Sequence, residues 1–134
     1  MTDFHLKIVT PDGLAFDGMA QQLTVRTTTG DMGILAGHIS CVAPLGMGRA
    51  IVVCDGKKRY AACIGGMVSV VGGTVTLVPT TFEWAENIDT DRAEISYQKA
   101  QQTLQDKSAS GTDIKLAEAR LKRALVRKSV ASDK

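Results

Sequence analysis

Aromatic side chains make up only 4% of this chain, with a single tryptophan, two tyrosines and three phenylalanines. A core built here must therefore be aliphatic, and the stacking platforms on which single-stranded nucleic acid lies are excluded. There are only two histidines, His5 and His38, and no paired carboxylates stand opposite a base. Hydrolytic sites of the Ser-His-Asp or Cys-His type therefore have no residues to assign. No Gly-x-x-x-x-Gly-Lys-Ser/Thr run occurs, which excludes a P-loop nucleotide hydrolase. The cysteines number three (Cys41, Cys54 and Cys63) and lie in apolar runs without metal-ligand spacing, as expected of buried thiols in a reducing compartment. The amino-terminal Met1-Thr2-Asp3-Phe4-His5 lacks the basic and apolar regions of a signal peptide. Charge is absent between Ala61 and Val78, but this stretch is broken by Gly65-Gly66 and Gly72-Gly73 and crowded with Val and Thr. It reads as buried hairpin strands and not as a membrane span.

What is present changes character near residue 88. Upstream, Phe4, Leu6 and Ile8 alternate with His5, Lys7 and Val9, and Leu23 and Val25 alternate with Thr24 and Arg26, the period of half-buried strands. Pro11-Asp12-Gly13 predicts a turn, and Asp55-Gly56 between two apolar runs predicts a hairpin. Gly30-Asp31-Met32-Gly33 reads as a tight loop leading into Ile34-Leu35, and Thr80 to Asn87 as a linker. Many short strands with frequent turns imply an antiparallel sandwich over residues 1–84.

Residues 88–134 read as a helical hairpin. Asp89 or Thr90 is the expected first cap, Ser108 to Gly111 the stop, and Thr112 or Asp113 the second cap. Ala93, Tyr97, Ala100 and Leu104 form one apolar stripe; Ile114, Ala117, Leu121, Ala124 and Leu125 form the facing one. Seams of alanine bury little area, so the hairpin is expected to move. Residues 113–134 hold seven Lys/Arg against three Asp/Glu, while residues 1–112 hold nine against eleven, so the positive charge is concentrated on the second helix. Arg120, Arg123 and Arg127, with Lys122 and Lys128, line a flank suited to phosphate or carboxylate. From residues alone this is a non-catalytic binding or coupling protein. A free-standing anion- or RNA-binding module using the basic helix is the alternative.

The motifs Gly33-Ile34-Leu35 with Gly37-His38, Gly65-Gly66 before Val75-Thr76-Leu77, and Glu83 before Ile88-Asp89-Thr90-Asp91-Arg92-Ala93 occur in that order. Together they resemble the epsilon subunit of bacterial F-type ATP synthases along nearly the whole chain. The resemblance implies β plus α architecture: a sandwich of about ten strands, then a two-helix antiparallel hairpin acting as a mobile regulatory arm. It implies a place in the central stalk, with the sandwich binding the gamma subunit and the c-ring. The basic helix would meet alpha and beta subunits to inhibit ATP hydrolysis. It also implies a peripheral position at the cytoplasmic face of the cell membrane, reached only through the complex, with no nucleic-acid partner. The partner-binding residues so implied are Gly33, Ile34, Leu35, Gly37 and His38, and Arg120, Lys122, Arg123, Arg127 and Lys128.

No cofactor is implied as required. Some family members bind ATP as a regulatory ligand, and the matching positions here are Glu83, Ile88, Asp89, Arg92, Ala93, Lys99, Arg123 and Arg127. Lys99 stands where nucleotide-binding relatives tend to carry arginine, and Ala36 where the loop usually has proline.

Overall fold

The computed structural model describes residues 2–133. Eight strands come first: β1 (Phe4–Thr10), β2 (Gly13–Ala20), β3 (Gln22–Thr27), β4 (Gly30–Ile34), β5 (Cys41–Pro44), β6 (Met47–Cys54), β7 (Lys57–Val71) and β8 (Thr74–Trp84). A 3-10 turn over Ala85–Asn87 leads to α1 (Thr90–Gln105) and α2 (Gly111–Ala131). The chain divides into two compact units, with the break between Trp84 and Ala85.

Local chemistry makes the hairpins. Thr10 Oγ1 donates to Gly13 O at 2.9 Å and accepts from Asp12 N at 3.1 Å, closing the turn at Pro11-Asp12. Asp55 and Gly56 have φ of +52° and +73°, and Gly72 and Gly73 have +55° and +81°. Left-handed backbone at both central residues is what a two-residue hairpin needs to match strand twist. The uncharged Ala61–Val78 stretch thus lies in β7, β8 and the turn joining them.

The layering comes from a fold in the β7–β8 ribbon. These strands pair from Ala61↔Trp84 to Val71↔Thr74, but their outer partners change halfway along. The first half of β7 pairs with β6, from Cys54↔Lys57 to Met47↔Ile64, and the second half pairs with β5. Between the halves Gly65 and Gly66 have φ of +68° and +98°, and a Cβ on Gly66 would stand 2.0 Å from the Val78 carbonyl oxygen. Only glycine fits such a crossing. One layer is therefore β2-β1-β8-β7-β5 and the other β8-β7-β6-β3-β4. Counting the halves of β7 and β8 separately turns the eight continuous strands into ten segments. Leu6, Ile8, Leu23, Val25, Val52, Val68 and Leu77, all fully buried, fill the space between the layers.

Three expectations are corrected in this unit. The stretch from Gly30 is strand β4, paired Arg26↔Asp31 and Leu23↔Ile34; its two glycines hide an alternation that the pairing restores. The linker reading of Thr80–Asn87 gives way to strand as far as Trp84, because Thr81 to Trp84 oppose Ile64 to Ala61. The sandwich is not wholly antiparallel: β1 runs parallel to β8, from His5↔Thr74 to Ile8↔Leu77. A parallel pair needs a long connection, and β2 through β7 supply it.

In the helical unit, Asp89 caps α1, its Oδ1 accepting from Arg92 N at 3.0 Å. The helix stops at Gln105, ahead of the expected Ser108–Gly111, because Asp106 turns outward and accepts from Ser108 N and Oγ at 2.9 and 2.7 Å. The second cap is Ser110, not Thr112 or Asp113. Its Oγ accepts from Asp113 N at 3.1 Å while the Asp113 carboxylate accepts from Ser110 N at 3.4 Å, a reciprocal capping box. The buried residues are chiefly alanine: Ala93 and Ala100 on α1, Ala117 and Ala124 on α2, joined at the end of α2 by Val130 and Ala131. Leu125, expected in the seam, is 46% exposed.

Candidate functional site

Of the residues implied in ATP binding, Glu83 stands on β8 in the sandwich unit, half-buried opposite Ala62. The other seven belong to the helical unit. Ile88 and Ala93 are buried at 4% and 3% exposure, and Ala93 N donates to Asp89 O at 3.0 Å. Asp89 and Arg92 meet as cap and capped amide, so this contact leaves the Arg92 guanidinium out. Arg92 and Lys99 are exposed on α1, seven residues apart and so nearly on one face; Arg123 and Arg127 share a flank of α2, both half-buried.

The basic flank of α2 is not uniform. Arg120 and Lys122 are exposed, whereas Lys128 is half-buried and bridges to α1. Its Nζ lies 2.6 Å from Glu94 Oε2 and 4.2 Å from the centre of the Tyr97 ring, while Gln98 Nε2 donates to Glu94 Oε1 at 2.9 Å. The Lys128 hydrogen bond, followed by that from Gln98, holds the Glu94 carboxyl below the usual range. Sequence reading missed Glu94 and Tyr97 as partners of Lys128.

The loop expected to meet partners is built from mixed parts. Gly33 and Ile34 close β4, and Ile34 is fully buried in the sandwich core, so its side chain cannot face a partner. Leu35 is 59% exposed, and so is the unpredicted Ile39, at 78%. Gly37 takes φ of +85°, His38 N donates to Leu35 O at 3.2 Å, and His38 Nδ1 lies 2.8 Å from Ile39 O. His38 thus serves the turn itself. Among the thiols, Cys63 is buried and its pKa is pushed up to about 12 by that burial, so it stays protonated and inert. Trp84 anchors the aromatic cluster of the sandwich. The Arg59 guanidinium lies 3.7 Å from the centre of its ring, with Phe82 edge-on at 4.9 Å.

Residues 3–85 match the family model of the ATP synthase delta/epsilon chain β-sandwich domain, and residues 86–132 that of its long α-helix domain. The chain belongs to the ATP synthase delta/epsilon-chain family. It is similar to the ATP synthase epsilon chain of Bacillus cytotoxicus, 41% identical with both chains covered in full. The epsilon chain of Bacillus subtilis is 44% identical over 86% of each chain. Membership makes this a stalk subunit of an ATP synthase and not a catalytic one, and it displaces the free-standing anion or RNA module. The same fold recurs in a chain of the cryo-EM structure of Euglena gracilis mitochondrial ATP synthase, with a TM-score of 0.84 at 23% identity over 96% of this chain and 81% of that one. A chain of the Tetrahymena thermophila mitochondrial ATP synthase gives a TM-score of 0.66 at 14% identity over 95% of each chain.

Proposed function

We propose that this epsilon-family chain binds the gamma subunit and the c-ring through its sandwich, at the cytoplasmic face of the membrane. Its helices restrain ATP hydrolysis by meeting acidic segments of the alpha and beta subunits. The observation that carries the reading is the partition of charge and packing within one epsilon-family chain. The positive residues Arg120, Lys122, Arg123 and Arg127 concentrate on a separately compact unit whose buried seam is chiefly alanine. Such a seam buries little apolar area, so separating its helices costs little. ATP enters as a regulatory ligand of the helical unit, held by Ile88, Asp89, Arg92, Ala93, Lys99, Arg123 and Arg127. It stabilises only the conformation for which it has the greater affinity.

The test is reconstitution. A catalytic head of alpha, beta and gamma subunits without epsilon is assayed for ATP hydrolysis, with the full chain added or with a truncation lacking residues 88–134. The full chain is expected to bind and to slow hydrolysis, and the truncation to bind without slowing it. Full inhibition by the truncation would remove the helices from the mechanism, and failure of either form to bind would remove the stalk assignment to gamma.

A further inference from the structure

Glu94 and Tyr97 belong to neither the implied ATP site nor the implied partner surface, yet they hold a cation from the other helix. Their position in the hairpin matters. At the turn end the chain itself, over residues 106–110, keeps α1 and α2 together, and the Ser110–Asp113 box seals the second cap. Along the helices the buried side chains are chiefly alanine, which resist separation weakly. At the open end, where the start of α1 meets the end of α2, no short connection does this work.

There α1 presents a socket. Glu94, Tyr97 and Gln98 follow at i, i+3 and i+4 and so share one face. Gln98 Nε2 donates to Glu94 Oε1 at 2.9 Å, and Gln101 Nε2 donates to the Tyr97 hydroxyl at 2.8 Å, so carboxylate and ring are both held from their own helix. Lys128 enters from α2, its Nζ 2.6 Å from Glu94 Oε2 and 4.2 Å from the centre of the Tyr97 ring. An exposed ion pair is ordinarily worth little, because two long side chains must be ordered to make it. Here one side is already ordered and the ring adds a cation–π contact. The antiparallel helices also set the carboxylate toward the positive end of one dipole and the cation toward the negative end of the other.

We infer that Glu94, Tyr97 and Lys128 form a clasp that holds the hairpin shut, and that α2 parts from α1 at this end first. While the clasp is closed, the Lys128 cation is engaged by α1 and withheld from any acidic partner. Opening frees it together with the last turns of α2. The clasp rests on the helical unit alone, whether or not the helices meet alpha and beta subunits.

The test is amide hydrogen exchange of the full chain, read by NMR at neutral pH. Glu94→Gln and Lys128→Gln should each speed exchange over residues 122–131 by about five-fold or more, the combined size of an ion pair and a cation–π contact. Tyr97→Leu, which keeps an apolar side chain, should give about three-fold. Lys122→Gln, at an exposed position on the same helix, should change exchange less than about two-fold. The double variant Glu94→Gln with Lys128→Gln should match Lys128→Gln alone, because both residues serve one contact. Unchanged exchange in Lys128→Gln would overturn the clasp, as would single effects that multiply in the double variant. Equal acceleration over residues 114–117 would show that α2 does not open from this end. Equal acceleration in β7 and β8 would show a general loss of stability, and either result also overturns the inference.

Discussion

Gly66 shows how much one residue decides. Its φ of +98° is costly for any side chain, and a Cβ there would stand 2.0 Å from Val78 O and 2.6 Å from Pro79 Cα. Backbone cannot yield as a flexible side chain can. Gly66→Ala should therefore cost about 3 kcal/mol or more, combining a forbidden dihedral with a steric clash. Gly72 offers the control. Its φ is +55°, but nothing lies within 4 Å of the added atom, so Gly72→Ala should cost only the ~1–2 kcal/mol of left-handed backbone. Urea denaturation followed by Trp84 fluorescence compares them, and equal losses would show that the β7–β8 crossing tolerates a side chain.

At the scale of elements, the alanine seam leaves polar contacts an unusual share of the work of holding α1 to α2. The pair Glu94–Lys128 is the clearest, backed by Tyr97 and Gln98. Because the folded pKa of Glu94 is lowered, chiefly by Lys128, the pair contributes its full stabilisation above the ordinary carboxylate range. That contribution is lost as pH falls through the lowered value. Glu94→Gln should therefore melt below the wild type at neutral pH, with the gap closing as pH falls through the lowered Glu94 value. The Asp106–Ser108 contact is the same in both proteins and cancels. Melting curves read by helical circular dichroism would decide; a gap independent of pH would show that ionisation of Glu94 plays no part.

For the whole molecule, the question is whether nucleotide reaches the helical unit. Trp84, the sole tryptophan, ends the sandwich one residue after Glu83, which makes its emission a natural reporter. Titrating the chain with ATP and separately with ADP should give a saturable change that prefers ATP and falls at least about ten-fold in affinity in Arg123→Ala, the loss of a bidentate contact. Silence in both fluorescence and calorimetry would show that this chain does not take ATP as a regulatory ligand. The Lys99 substitution, a point charge where a planar fork is usual, would then be the first cause to test by Lys99→Arg.

The sequence by itself determined whatever depends on near neighbours. Asp55-Gly56 and Gly72-Gly73 specify hairpins through left-handed φ, and Asp89 is legible as a cap because its carboxylate reaches an amide three residues on. The positive bias of α2 is likewise a matter of composition alone. Even locally some signals misled: Gly30 and Gly33 masked the period of β4, and the Ser110–Asp113 box lay hidden beside two equally plausible caps. What only the tertiary structure decided involves residues distant in the chain. The exchange of partners along β7, the parallel pairing of β1 with β8, and the capture of Lys128 by Glu94 are of this kind. Periodicity records which face a residue takes on its own element; which element it then meets is settled by packing across long stretches of chain.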